Sequence, residues 1–343
     1  MTSSPDPDDT HLSTVREELL EQLLHGDEMA AVQLVLKSLE NGARPQSLLL
    51  DVLGETQREV GRRWQSGQIT LVEEHAASAL TERLASVITV HPAARSLPPV
   101  KGPITVACAE GEWHALPSRL AADVLRINGW KVVYLGSDVE VSFLARHLAT
   151  SHSRLLGISC QVATHLPMVH AAIKAATALG IPTLTGGAAF DPQGVLSARL
   201  GAAAHASDPR HALTQLQDGI VPLSFTLNTT TPHVPCEEYH SLNNRREAIT
   251  RAVAVALHGP DAPPVEPQSP PDLLTRFLLA ALYTDEPSVL THALLWLGTA
   301  PDQPDETAYD PTPALQALTV AVHDHPTALR LLQEATASTT GDV

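Results

Sequence analysis

Between about residues 103 and 217 the sequence changes its period, and that change limits the fold more than any other feature. Short β-like runs at 104–108, 131–135, 155–159 and 182–185 alternate with helical stretches at about 115–128, 139–150 and 166–179. Gly129, Gly157 and Gly180 punctuate the returns, and 202–206 reads as a fifth strand ahead of a helix from Pro209. Alternation of this kind predicts a parallel, doubly wound sheet, which binds ligands at the carboxyl ends of its strands.

The flanks follow a helical period. From about residue 10 to 90, Leu12, Val15, Leu19, Leu20, Leu23 and Leu24 recur at helical spacing, and Gly26-Asp27 ends one helix and caps the next. Asn41-Gly42 closes the second helix. Pro45 starts a third, with Leu48, Leu49, Val52, Leu53 and Val60 on its apolar face, ending near Trp64. Ser66-Gly67 breaks the chain before a fourth helix at about 71–90. Short connections between four helices predict an antiparallel bundle. A proline-rich linker occupies 91–103, and a Thr- and Pro-rich one occupies 218–236. Helices are then expected at about 237–258, 271–284, 287–299, 312–323 and 326–337. The expected fold class is multidomain, α and α/β: a four-helix bundle over 1–92, a parallel-sheet domain over 103–217 and an all-α domain over 237–338.

Composition narrows the function. Phe, Trp and Tyr number 4 each in 343 residues, so an aromatic beside a polar motif is informative. The formal net charge of −16 argues against binding nucleic acid, whose affinity rests on phosphate neutralisation. It also argues against an anionic membrane surface. Cys108, Cys160 and Cys236 lie far apart without zinc spacing, which predicts a reducing compartment. The N-terminus is acidic and polar rather than signal-like, and no apolar stretch reaches bilayer length, so the cytoplasm is the expected location. No P-loop, HExxH, G-x-S-x-G or Cys-x-x-Cys is present, and no enzymatic activity is expected.

The loop after the first strand reads Gly111-Glu112-Trp113-His114-Ala115-Leu116-Pro117. A histidine there can present a neutral imidazole nitrogen to a metal, while a carboxylate two positions earlier holds the other ring nitrogen. The alternative is a loop histidine that merely caps the helix that follows. Ser159 ends the third strand and Gly186-Gly187 follow the fourth, so small residues gather at the same sheet edge and suggest a deep slot. An ordinary turn is the alternative for the glycine pair.

Residues 103–217 resemble a cobalamin-binding domain of the methionine synthase type, a Rossmann-like fold. That family carries Asp/Glu-x-His-x-x-Gly, a Ser about 45 residues after the His, and then Gly-Gly; Glu112, His114, Ser159 and Gly186-Gly187 match in order and spacing. The resemblance implies that His114 is the lower cobalt ligand, and that the displaced nucleotide tail lies in the slot lined by Ser159 and the glycines. Pro117 stands where the family has Gly, and Cys160-Gln161 stand where a small residue and Leu are usual. His165 lies near the place of the serine that often completes a Ser–Asp–His relay. These departures bear on the tail slot and on proton tuning.

In the helical block, Trp64 is followed after nine residues by Glu74-His75. A Trp at the end of one helix and Glu-His in the first turn of the next can face one cavity, the Trp stacking over a ligand and the Glu accepting from ribose hydroxyls. A structural Trp with solvated Glu and His is the alternative. The pattern resembles the cap of the adenosylcobalamin-dependent light-sensing regulators of the CarH type, over about residues 10–217. The resemblance implies that Trp64 and Glu74, with His75 beside them and Trp113 in the lower motif, surround bound adenosylcobalamin. Gln65 occupies the position at which the best-known light sensors have a cobalt-capturing His, so a light state must use water or another residue such as His75. Those regulators place a DNA-binding domain ahead of the cap; none precedes it in this sequence, so direct DNA binding is not expected.

The C-terminal helices read as a structural or dimerising bundle, with Phe277, Leu278, Ala281, Leu282, Leu290 and Leu294–Leu297 in its core. A cap, a cobalamin domain and a C-terminal helical domain together also resemble the photocobilins, which implies biliverdin as a second chromophore. Tyr239, His240, Arg245, Arg246 and Arg251, on one predicted helix, would supply its polar contacts. His323-Asp324-His325 lacks a nearby third ligand and is expected to cap a helix rather than hold a metal. The leading expectation is a light-sensing signalling protein that binds adenosylcobalamin, forms a homo-oligomer and acts on an unknown protein partner. The rivals are a corrinoid carrier for a methyltransferase system and a light-independent B12-responsive regulator.

Overall fold

The computed structural model describes residues 7–95, 97–217, 233–299 and 310–340. The N-terminal bundle comprises α1 (Pro7–His25), α2 (Glu28–Glu40), α3 (45–65) and α4 (Leu71–Val90). Local chemistry sets their ends. The Asp27 carboxylate accepts from the Ala30 amide at 3.0 Å and caps α2. Thr70 and Glu73 form a reciprocal capping box at the start of α4, satisfying amides that a helix end leaves unpaired.

Helix α3 departs from the regular helix that its spacing predicts. Its middle, Leu48–Gly54, is π-helical, and Leu48, Leu49, Leu50, Val52 and Leu53 are all buried there. The π turn widens the helix where these side chains pack into the core. A Cβ on Gly54 would lie 3.8 Å from Leu120, so this turn runs close against the next domain.

That domain is built on β1 (Lys101–Cys108), α5 (Ala115–Ile127), β2 (Trp130–Tyr134), α6 (Val141–Ser151), β3 (Leu155–Ser159), α7 (Leu166–Ala178), β4 (Thr183–Gly186), α8 (Val195–Arg199), β5 (Ala204–Ala206) and α9 (Pro209–Gln217). The strands are parallel in the order β2-β1-β3-β4-β5. Register pairs Cys108 with Ser159, Ser159 with Gly186 and Gly186 with Ala206, which levels the carboxyl ends of four strands along one edge. The strand order reverses between β1 and β3, the place where such sheets open a crevice. Strand β1 begins three residues before its predicted start because a register irregularity between Lys101 and Ile104 accommodates Pro103. Strand β5 is shorter than predicted. The unpredicted α8 is capped by Asp191, whose carboxylate accepts from the Val195 and Leu196 amides at 2.8 and 2.7 Å.

The C-terminal region contains α10 (Glu237–Asn244), α11 (Arg246–His258), α12 (Pro270–Thr284), α13 (Pro287–Thr299), α14 (Thr312–Ala321) and α15 (Pro326–Thr340). The single helix expected at 237–258 is two, broken at Arg245 after Asn243-Asn244, residues of weak helix propensity. Linker residues 218–232 lie outside the described residues.

Two cores cross domain borders. The cap core takes in Leu116, Leu120 and Val124 from α5. A second core runs from Leu156, Ile158, Leu144 and Val169 on one side of the sheet into Leu274, Phe277 and Leu278 of α12. A third fills the opposite face of the sheet, with Ile104, Val106, Leu125, Leu184 and Leu213. None of the described helices is long and apolar enough to cross a membrane.

Candidate functional site

The site starts at the loop leaving β1, on the reversal of strand order. Glu112 is completely buried. Its Oε1 accepts from the His114 backbone amide at 2.9 Å and from His114 Nδ1 at 2.5 Å. Its Oε2 accepts from the Gln161 and Val162 amides at 2.7 and 3.0 Å, tying the β1 loop to the β3 loop. Burial by itself would raise the carboxyl pKa; hydrogen bonds from His114 and the nearness of His165 outweigh it and hold the group well below the usual carboxylate range.

His114 occupies the residue before α5, but its side chain makes no capping bond. Its ring is 63% exposed, so with Nδ1 held by Glu112 the Nε2 atom is left for a ligand. The hydrogen bond to Glu112 raises the His114 pKa, burial opposes the rise, and the charges of Glu112 and Glu74 add to it. A carboxylate-held imidazole of this kind is a strong metal ligand once its own proton has left.

The β3 and β4 ends form a tight passage. Gly187 has φ +111°, and a Cβ there would lie 2.1 Å from the Cys160 carbonyl oxygen. A Cβ on Gly186 would lie 3.0 Å from the Ala206 carbonyl oxygen. The Gln161 amide crosses the passage, donating to Ser159 Oγ at 3.2 Å and accepting from the Ala188 amide at 3.1 Å. The glycine pair is therefore a close backbone approach rather than an ordinary turn.

On the cap, Glu74 accepts from Ser78 Oγ at 2.7 Å and Gln57 Nε2 at 3.3 Å, and its other oxygen meets His75 Nδ1 at 2.6 Å. His75 is largely exposed, with Nε2 unengaged by that contact. Trp64 is half-buried against the cap core.

One cavity of about 2320 Å³ joins these parts. It is more than twice the size of ordinary small-ligand pockets, which run to about 1,000 Å³. Trp64, Glu74, His75, Glu112, Trp113, His114, Ser159, Gly186 and Gly187 all line it, as does Gln65. The C-terminal helices close one side with Tyr239, Asn243, Arg246, Arg276, His292 and Trp296. Of the five polar residues expected to face a second chromophore, Tyr239 and Arg246 line the cavity. Arg251 instead donates to the Ala262 and Pro263 carbonyls at 2.8 and 2.7 Å, and Arg245 turns toward Asp324 at 3.9 Å.

Sequence reasoning missed Gln57 and Ser78, which hold Glu74, and Arg276, which reaches His165. All are ordinary polar residues on helices and carry no local signature. His325 is buried, with Nδ1 on Asp324 at 2.7 Å and Nε2 on Ser241 at 3.2 Å, while His323 Nδ1 meets the Val320 carbonyl at 3.0 Å. Among the described residues, the group spaced for a metal is Glu112, Cys160 and His165. Two of its three members are already engaged, since Glu112 accepts four N–H groups and Cys160 donates to the Val162 carbonyl at 3.3 Å. Burial pushes the Cys160 thiol well above its ordinary pKa, away from the thiolate that a metal needs.

Comparison with known proteins gives this geometry its class. Residues 15–88 and residues 102–216 match two families, each described as a B12 binding domain. The chain thus carries a helical B12-binding cap followed by a Rossmann-like B12-binding domain, and it is a cobalamin-binding protein. It is 29% identical over 183 residues to the HTH-type transcriptional repressor CarH of Myxococcus xanthus, a match over 52% of this chain and 59% of that one. It is 26% identical over 169 residues to trimethylamine corrinoid protein 1 of Methanosarcina mazei, covering 47% of this chain and 77% of that protein. Its fold matches the monomethylamine corrinoid protein of Methanosarcina barkeri at TM-score 0.52 and 19% identity, over 60% of this chain and 99% of the other.

The residues fit the cofactor. An imidazole nitrogen suits cobalt, the cavity exceeds an ordinary ligand pocket, and the Gly187 passage has no room for a side chain.

Proposed function

We propose that the protein is an adenosylcobalamin-dependent light sensor that acts by binding rather than by catalysis. The observation that supports this reading is the convergence of Trp64, Glu74 and His75 from the cap with His114 from the sheet on one cavity. When bound, adenosylcobalamin supplies a cobalt–carbon bond that light can break. His114 would hold the cobalt through Nε2, with Glu112 fixing its ring. Trp64 would offer a flat face to the adenosyl group, and Glu74, held by Gln57 and Ser78, would accept from its ribose hydroxyls. Without those contacts the cap would be free to shift, altering self-association or the surface offered to a protein partner. Gln65 cannot serve as a nitrogen ligand in the light state, whereas His75 keeps Nε2 free for it.

Protein loaded with adenosylcobalamin in the dark should show a visible spectral change under green light and a change of elution volume on size exclusion. An unchanged spectrum would exclude the light-sensing reading. The rival, a corrinoid carrier serving a methyltransferase, draws on the likeness to the trimethylamine corrinoid protein. It requires tighter binding of methylcobalamin than of adenosylcobalamin, and paired titrations separate the two.

A second ligand is favoured by one further observation. The cavity continues into the C-terminal helices, where Arg246, Arg276, Tyr239 and Trp296 combine cationic and aromatic groups. These suit the propionates and rings of a linear tetrapyrrole such as biliverdin. A red absorption band after reconstitution with biliverdin tests this reading, and its absence removes biliverdin.

A further inference from the structure

Beneath the β1 loop, a chain of polar contacts leaves the B12-binding domain and ends on a C-terminal helix. His165 lies in the 3-10 turn Ala163–His165 ahead of α7. Its side chain is 13% exposed, and its ring edge would lie 3.0 Å from a Cβ on Gly111, the residue just before Glu112. Gly111 has φ +84°, so the loop has both the backbone freedom and the space to hold the ring there. His165 Nε2 lies 3.2 Å from an Arg276 amino group on α12, which also reaches Thr164 Oγ1 at 3.4 Å. Arg276 is steadied in turn by Asp272 at 3.7 Å, itself accepting from the Gln268 amide at 3.1 Å.

Hydrogen-bond roles then settle the ring's tautomer. A guanidinium only donates, so Nε2 must accept, and the neutral ring carries its proton on Nδ1. Nδ1 is buried with no hydrogen-bond partner, and its neighbour is Glu112 Oε2 at 3.6 Å. That separation is too long for a hydrogen bond, yet a buried donor left unpaired is costly. Contacts at functional sites commonly tighten when the ligand arrives.

We propose that Arg276 is a positioning residue for the cofactor: it holds His165 in the Nδ1–H tautomer, and His165 closes onto Glu112 and thereby sets the orientation of His114. The inference rests on the reading of His114 as cobalt ligand. It makes the C-terminal helices part of the lower-ligand machinery, because displacement of α12 withdraws the guanidinium that orients His165. The proton stays on His165 throughout; the contact orients rather than transfers.

The test compares Arg276→Met, which keeps the aliphatic stem, with Arg276→Lys, which keeps a donor, and with His114→Ala. Long-range 1H–15N spectra of cofactor-free protein read the His165 tautomer. Wild type and Arg276→Lys are expected to show Nδ1–H, and Arg276→Met a mixture containing Nε2–H. Cobalamin affinity of Arg276→Met should fall about tenfold, the low end for loss of an outer-shell partner, with a visible spectrum shifted toward the histidine-off form. Arg276→Lys should recover most of both. An unchanged tautomer in Arg276→Met, or a changed tautomer with wild-type affinity and spectrum, overturns the proposal. If His114→Ala also leaves affinity and spectrum unchanged, the ligand reading fails first; if His114→Ala alone alters them, only the positioning role of Arg276 fails. Far-UV circular dichroism and the melting temperature of each variant verify folding, and a His165→Asn variant supplies the same readouts should Arg276→Met unfold.

Discussion

Glu112→Gln is the most discriminating single change, because it preserves shape and removes only acceptor capacity. The carboxylate accepts four N–H groups, two per oxygen: His114 N and Nδ1, and the amides of Gln161 and Val162. A glutamine amide has one acceptor oxygen and one NH2 donor group. Turned toward Gln161 and Val162, the NH2 confronts two backbone donors; turned toward His114 it confronts one, because Nδ1 can move its proton to Nε2 and accept, inside a fully buried site. Leaving a buried polar group unsatisfied costs about 1–3 kcal/mol, so at least one such loss puts the destabilisation at about 1–3 kcal/mol or more. Urea unfolding followed by far-UV circular dichroism reads the loss. The pH dependence supplies a second arm. The folded pKa of Glu112 lies below its ordinary 4.5, so the wild-type contribution is complete above the unfolded pKa and is lost as pH falls through and below it. The variant should lack that share of the acid loss, so its deficit against wild type narrows as pH falls below about 4.5. Stability equal to wild type at neutral pH, or an undiminished acid slope, would refute the picture of Glu112 as the ionised hub of the two loops.

Three further outcomes follow from the same geometry. Gly187→Ala places a Cβ 2.1 Å from a backbone carbonyl at φ +111°, which should cost about 3 kcal/mol or more and weaken cobalamin binding, as isothermal titration would show. His170 is buried, and burial together with the nearby His233 and Lys174 lowers its pKa to about 4 from 6.5. Its protonation favours the unfolded chain, so stability is full above about pH 6.5 and falls between there and pH 4 by up to about 3 kcal/mol; melting temperatures of wild type and His170→Gln across that range should diverge accordingly. Arg210→Ala removes the paired contacts of 2.7 and 2.9 Å to Asp51, a partly exposed ion pair between α9 and the π-helical turn. Global stability should drop by less than about 1 kcal/mol, while amide exchange across Leu48–Gly54 quickens.

What could be read from sequence depended on how local the cause was. The parallel sheet announced itself through short apolar runs separated by helical stretches, and its order and register then brought Ser159 and Gly186 level without any further signal. Glu112 and His114 lie two residues apart, so their mutual hydrogen bonds are implicit in the spacing. The other half of the Glu112 site comes from the Gln161 and Val162 amides, about 50 residues away, and backbone donors leave no trace in residue type. The same holds for Arg276, 111 residues from the histidine it reaches. The π-helical turn was hidden for another reason: five aliphatic residues in a row of seven read equally well as an α-helix. The break at Arg245 follows Asn243-Asn244, whose helix propensity is only modestly weak and does not by itself end a helix.

The two interfaces that close the cavity differ in kind, and the difference assigns their roles. The C-terminal helices share a continuous core with the sheet domain, from Leu156 and Ile158 through Val169 to Leu274 and Phe277. His170 adds a 2.6 Å contact to the Tyr283 hydroxyl, and Arg199 donates to the carbonyls of Thr284 and Asp285. Separating these elements would expose the interior of both. The cap has a core of its own and meets the sheet domain through three aliphatic side chains of α5, Leu116, Leu120 and Val124. Its polar ties are few and near the surface: Asp51 with Arg210, Ser86 with Arg119 and Gln46 with Asn128. Burial of three aliphatic side chains contributes about 5–8 kcal/mol, against a much larger apolar area on the C-terminal side. On the function proposed above, a signal that began at the upper ligand would find its compliant wall in the cap. The C-terminal helices would supply the stiff wall, and the His165–Arg276 contact stands on that side, where a lower ligand would have a fixed reference while the cap moved.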